Sequence, residues 1–151
     1  MFEESREAEI VGHVEEFIDE FGGDGVVGFA EGIPPEDARF AHTIDGVSTE
    51  FFPFMRIWEE GFPAYEGQTW LTSRFHFHLL AAATGARGTV IDARPGYYDV
   101  KHNLLGELGT GWSLDHDAEN LTVPSSSKMF PETARRLGVR KAALAKRLYR
   151  H

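Results

Sequence analysis

The stretch WLTSRFHFHLLAAATGARGTVIDARPGYYDVKHNLLGELGTG, residues 70–111, holds the sharpest local signals in the chain. QTWLTS, residues 68–73, has the composition of a strand. It runs straight into Arg74, His76 and His78, and then into an alanine-rich segment that predicts a helix. Gly85 stands where a left-handed helix cap is expected. GTVIDA, 88–93, reads as a buried strand and RPGYY as a turn. Residues 99–108 read as a second helix, stopped by Gly109. A helix start offers free backbone N–H groups and partial positive charge, so it attracts anions. Arg74 adds a planar fork suited to carboxylate or phosphate. His76 adds a donor that exchanges a proton near neutral pH. Together they predict a site for a small phosphorylated or carboxylated ligand. The plainer alternative pairs Arg74 with a nearby carboxylate and makes one histidine a satisfied core residue.

Working outward, residues 2–21 predict a helix with Phe2, Ile10, Val14, Phe17, Ile18 and Phe21 mostly on one face, ended by Gly22 and Gly23. GVVGFAE, 25–31, reads as a buried strand, and GIPPED then breaks the chain. ARFAHTI, 38–44, reads as a short second strand. Ser48 or Thr49 caps a helix expected through about Trp58, with Pro53 inside the pattern. WSL is a last short strand, DHDAENLTVPSSSK a polar loop, and a helical stretch runs from about Pro131 to the end. Short apolar strands alternating with helices predict an α/β domain with a mostly parallel sheet covered on both faces. Ligands of such sheets bind beyond the carboxyl ends of the strands, where Arg74, His76 and Lys101 fall. A solvated surface lysine is the common alternative for Lys101.

The chain has 151 residues, 42% of them hydrophobic, enough for one domain with a real core. It has no cysteine, which excludes disulfides and thiolate metal sites. MFEESREAEIVGHVEEF lacks the pattern of a secretory signal, and runs such as LLAAA are too short to span a bilayer. A soluble cytoplasmic protein is expected. The net charge of −9 hides an asymmetry. Lys128, Arg135, Arg136, Arg140, Lys141, Lys146, Arg147 and Arg150 crowd the C-terminal segment against Glu132 alone, while the rest is strongly acidic. An acidic body argues against a broad nucleic-acid surface.

PETARRLGVRKAALAKRLYRH nevertheless resembles a helix-turn-helix pivoting at Gly138, which makes a DNA-binding protein using residues 131–150 the rival reading. Arg140, Lys141 and Arg147 would then face phosphates or bases. Otherwise Leu137, Val139, Leu144 and Leu148 pack on the domain. His76 and His78 could open a metal site only by recruiting His102, Asp115, His116 or Asp117, and no metal is expected. Asp115, Asp117 and Glu119 read as a solvated acidic loop. Glu31, past the first strand, is either catalytic or a simple loop carboxylate. Gly28 and Gly32 make no phosphate-binding fingerprint. Tyr97 and Tyr98 could stack on a sugar or close a pocket, or simply pack.

The order of features in SRFHFHLLAAATGARGTVIDARPGYYDVKHNLLGELG resembles the C-terminal segment of the polysaccharide pyruvyl transferase family. An R-[apolar]-H triplet opens an alanine-rich helix ending in glycine. A buried strand, a tyrosine-containing turn, a lysine, a leucine-rich helix and a terminal "LG" follow. The resemblance implies a Rossmann-like half of a two-domain, GT-B-like transferase, with residues 1–128 binding the donor and residues 129–151 a basic helical segment packing on them. It implies transfer of a pyruvyl or carboxyvinyl group from phosphoenolpyruvate to a sugar hydroxyl of a cell-surface polysaccharide or its lipid-linked precursor. By the same resemblance, Arg74 holds phosphate or carboxylate, and His76 binds phosphate or acts as general acid. Lys101 adds charge. No cofactor is expected beyond phosphoenolpyruvate as co-substrate. Family members are longer, so the acceptor site is expected on a separate N-terminal half or across a homodimer. A non-catalytic remnant of the family is the remaining alternative.

Overall fold

The computed structural model describes residues 4–35, 37–43, 46–92, 96, 99–115 and 123–149. Its elements run α1 (Glu4–Phe21), β1 (Val27–Ala30), α2 (Ala38–Thr43), β2 (Thr49–Phe52), α3 (Phe54–Glu60), β3 (Thr69–Thr72), α4 (Phe75–Ala83), β4 (Arg87–Ile91), α5 (Asp99–Glu107), β5 (Ser113–Asp115) and α6 (Met129–Leu148). The architecture is α/β with two short, open, parallel sheets. One is β1-β2 and the other β3-β4-β5. Val27 aligns with Thr49, Thr69 with Arg87, and Thr89 with Ser113.

The strongest sequence signals land where expected. The N–H of Gly85 bonds the Ala82 carbonyl and that of Ala86 the Ala81 carbonyl, both at 3.1 Å. This is the glycine-capped ending that satisfies the last carbonyls of α4, and Gly85 supplies the required φ of +91°. The bonds from Gly109 to Gly106 and from Thr110 to Leu105 end α5 in the same way.

Three expectations need correction. Residues 38–43 form helix α2, not a strand. A short apolar run fits either state, and alanine and arginine favour helix. The helix expected from Ser48 to Trp58 is strand β2 followed by α3, with Pro53 at the boundary. Proline restrains the preceding residue to extended backbone and is tolerated at a helix start, so it divides the run instead of kinking it. The turn expected at Gly138 is absent. α6 is one helix of 20 residues through that glycine, because a lone helical glycine costs only about 1 kcal/mol.

The core belongs to the second sheet. Ala81, Ala82, Ala86, Val90, Leu105, Trp112 and Phe130 form one buried cluster. The small alanines of α4 let β4 and α6 approach it closely. β1 and β2 are only half-buried or exposed. Consecutive residues of both β1 and β3 line a cavity of about 450 Å³, closed on one side by Ile10, Val14, Phe17 and Phe21 of α1. Residues of both parities facing one space mark strand edges, since each face takes only alternate residues. β1 and β3 share no ladder across it. Among the described residues, no helix is long and apolar enough to cross a membrane.

Candidate functional site

Arg74 stands at the joint predicted for it. Its backbone is extended, with φ −98° and ψ 125°, at the N-cap of α4. The Arg74 N–H donates to Thr72 Oγ1 at 3.0 Å, and the Arg74 carbonyl accepts the first α4 bond from His78 N at 3.1 Å. The guanidinium crosses to the loop after β1 and pairs with Asp37 Oδ1. Asp37 Oδ2 accepts the N–H groups of Gly32 and Ile33 at 2.8 and 2.9 Å. One carboxylate thus ties the loop to itself and to the arginine. A Cβ on Gly32 would lie 2.7 Å from Arg74 Cδ and Nε, so only glycine leaves room for this approach. The carboxylate pairing anticipated as the plainer fate of Arg74 is therefore present. Arg74 and Asp37 also line the cavity between the two strand edges.

His76 and Lys101 meet around one ring. His76 is exposed in the first turn of α4, edge-on to Phe75 at 5.3 Å between centroids. Lys101 is exposed in the first turn of α5, with Nζ 5.9 Å from the Phe75 ring centroid. Phe75 is thus flanked by an imidazole and an ammonium group beyond the carboxyl ends of β3 and β4. Arg74 precedes it in the chain but points to Asp37.

His78 has a different role from its neighbour. It is fully buried at 0% exposure. A spacing of two residues on a helix separates it from His76 by most of a half-turn, which removes the H-x-H metal pair. His78 Nδ1 lies 3.1 Å from His102 Nδ1, and His78 Nε2 lies 3.0 Å from Thr110 Oγ1. His102 Nε2 lies 3.3 Å from the Ser73 carbonyl oxygen. A carbonyl only accepts, so His102 carries its proton on Nε2 and accepts on Nδ1. His78 must then donate from Nδ1 and accept the Thr110 hydroxyl proton on Nε2. Every bond in the chain has one direction, with both imidazoles neutral. Burial, and next to it the neighbouring His102, push the His78 pKa down to about 3. Burial also lowers His102, opposed by the Ser73 carbonyl and by the charges of Asp92 and Asp99. The indole of Trp112 stacks on His78 at 4.7 Å and donates from Nε1 to the Ala86 carbonyl at 3.0 Å. The tie ends on Ser73, the residue before Arg74, and so holds the turn that presents the triplet.

The pairing of His78 with His102 has no signature in the sequence, because no spacing rule joins positions on different helices. The sequence reading allows one histidine of the run to be a satisfied core residue, and the structure makes it His78. Glu31 holds the start of α3. It is 6% exposed, and its Oε2 accepts the Phe54 N–H at 2.8 Å at the start of α3. Among the described residues, no group of three or more His, Asp or Glu side chains could hold a metal ion. Tyr97, Tyr98, His116, Asp117 and Glu119 lie outside the described residues, as does the Asp115 side chain. No family model, curated protein or solved structure matches the chain.

Proposed function

We propose that this chain is a donor-binding half-domain of polysaccharide pyruvyl transferase type, taking phosphoenolpyruvate at the edge where α4 and α5 begin. The observation that carries the proposal is the grouping of His76 and Lys101 on Phe75, directly after Arg74, beyond the carboxyl ends of two adjacent parallel strands. That edge is where open α/β sheets take ligands, and the two helix starts add partial positive charge. In this reading Lys101 and Arg74 hold the phosphate and carboxylate, and Arg74 shares its guanidinium between the ligand and Asp37. His76 delivers a proton to the methylene carbon of the enol. A sugar hydroxyl then adds at the adjacent carbon and gives its proton to the now neutral His76 imidazole. The bond from that carbon to the phosphate oxygen breaks and phosphate leaves. The resulting cation is closed by a second hydroxyl of the same sugar, which loses its proton to give the ketal, or by loss of a methyl proton to give the carboxyvinyl ether, and the fixed cations offset the developing charge. The sugar acceptor binds to a second half-domain or a second copy. A Rossmann-like sheet also fits this reading. If the edges of β1 and β3 belong to one sheet, the strand order is 2-1-3-4-5, a doubly wound order with the site beyond its strand ends.

The test is calorimetric titration of the chain with phosphoenolpyruvate, with inorganic phosphate and pyruvate as controls. Saturable binding is expected. Arg74→Ala should abolish it, and His76→Ala and Lys101→Ala should weaken it. Unchanged affinity in Arg74→Ala and His76→Ala would remove the assignment.

A further inference from the structure

The C-terminal helix is anchored at one end only. Phe130 is 2% exposed within the core cluster, its N–H donating to Ser127 Oγ at 3.3 Å, and Ala134 packs beside it. From Arg135 to Tyr149 every residue is exposed. The apolar stripe nevertheless continues. Phe130, Ala134, Leu137, Leu144 and Leu148 recur at helical spacing on one side of α6, so the face that packs on the body at its base runs on into solvent. Leu137 is 43% exposed, Leu144 52% and Leu148 68%. Arg135, Arg136, Arg140, Lys141, Lys146 and Arg147 accompany them, and residues 135–149 contain no acidic side chain. An isolated helix of this length is marginal in water, so its stability calls for something against that stripe.

The chemistry narrows the occupant. Two copies of α6 packed together would set six cations against six. A nucleic acid would take the cations and leave the leucines in water. A dry protein groove would bury Lys141, which lies within the stripe between Leu137 and Leu144. At a bilayer surface the leucines enter the acyl boundary, the flanking cations meet lipid phosphates, and Lys141 extends its ammonium to the headgroups. At about 1.5 Å per residue, Leu148 lies roughly 20 Å along the helix from Ala134. That exceeds two screening lengths of about 8 Å, so the acidic body does not neutralise the tip. We infer that residues 135–149 are a docking helix for an anionic phospholipid surface, lying in the interface while the acidic body stays off it.

The test is co-sedimentation of the intact chain with vesicles of phosphatidylcholine alone and of phosphatidylcholine with phosphatidylglycerol, at low and at high salt. Partitioning at least tenfold stronger onto the anionic vesicles is expected, and high salt should weaken it. The double substitution Leu144→Gln and Leu148→Gln keeps every charge and alters exposed positions only, and it should lower binding about tenfold. Arg140→Gln with Arg147→Gln should do the same. Circular dichroism checks that the variants stay folded. Equal binding to both vesicles, or none to either, overturns the inference. Binding that survives the leucine substitutions, with a short DNA duplex bound equally well, overturns it in favour of a purely electrostatic nucleic-acid tail.

Discussion

The two sheets are built alike and held differently. β3-β4-β5 is packed by α4, α5 and the base of α6 around Trp112 and Phe130, and the whole buried cluster lies within or just after it. β1-β2 has the same parallel pairing but contributes no residue to that cluster, and its free edge faces a cavity. Identical local geometry thus accompanies unequal packing, because sheet stability comes from what covers a strand more than from its ladder. The candidate site draws on both regions. Arg74 comes from the well-packed one, and Asp37 and Gly32 from the loosely packed one. A loosely packed element set against a well-packed one is a common arrangement at binding sites.

The contrast breaks most directly at Trp112. Trp112→Ala should cost about 3–5 kcal/mol, through the lost ring volume and the lost bond to Ala86. Phe29→Ala in half-buried β1 should cost about 1–2 kcal/mol by the same reasoning scaled to its burial. Urea denaturation measures both, and equal costs would end the distinction.

Acid should reach the same core through its histidines. Burial depresses the folded pKa of His78 from 6.5 to about 3 and lowers that of His102. Below pH 6.5 the unfolded chain takes up protons that the folded chain refuses. Stability is therefore full above that pH and falls as the pH drops toward 3, by up to ~1.4 kcal/mol per pH unit for each such histidine. Denaturation midpoints at pH 7, 5.5 and 4.5 should show this slope, and His78→Gln should flatten it.

At the seam the expected effects are smaller. Gly32→Ala pushes a methyl group into the Arg74 side chain and should weaken phosphate or phosphoenolpyruvate binding about tenfold, or ~1.4 kcal/mol, with little change in the unfolding midpoint. Asp37→Asn removes a partly exposed ion pair and should cost no more than about 1 kcal/mol of stability. If Arg74 serves a ligand, this variant should bind phosphate more tightly, since the guanidinium loses its competitor. If Arg74 serves only the fold, anion binding should not rise.

How much was legible follows the same division. From Gln68 to Gly109 nearly every element lies where residue patterns put it, since strands, alanine helix and capping glycines give mutually consistent local signals. In the first half, ARFAHT reads as a strand but is a helix, and the segment around Pro53 reads as one helix but is a strand and a helix, because four- to seven-residue elements give too few positions to tell a period of 2 from one of 3.6. Within the site, Arg74, His76 and Lys101 were visible by type and spacing. Asp37, Gly32 and the use of Glu31 as a helix-start partner were not, because each acts on a residue far away in the chain.

Local chemistry alone therefore determined that this chain is α/β, that a strand gives way to a helix at Arg74, and that positive charge gathers at its C-terminal end. Those properties depend on propensity, periodicity and composition, which operate over neighbouring residues. Only the tertiary structure decided that Arg74 is held by Asp37, that His78 and His102 share one proton between facing nitrogens, and that α6 leaves the body with its leucines uncovered. Each of these depends on which distant groups come within a few ångströms, and no short-range pattern carries that information.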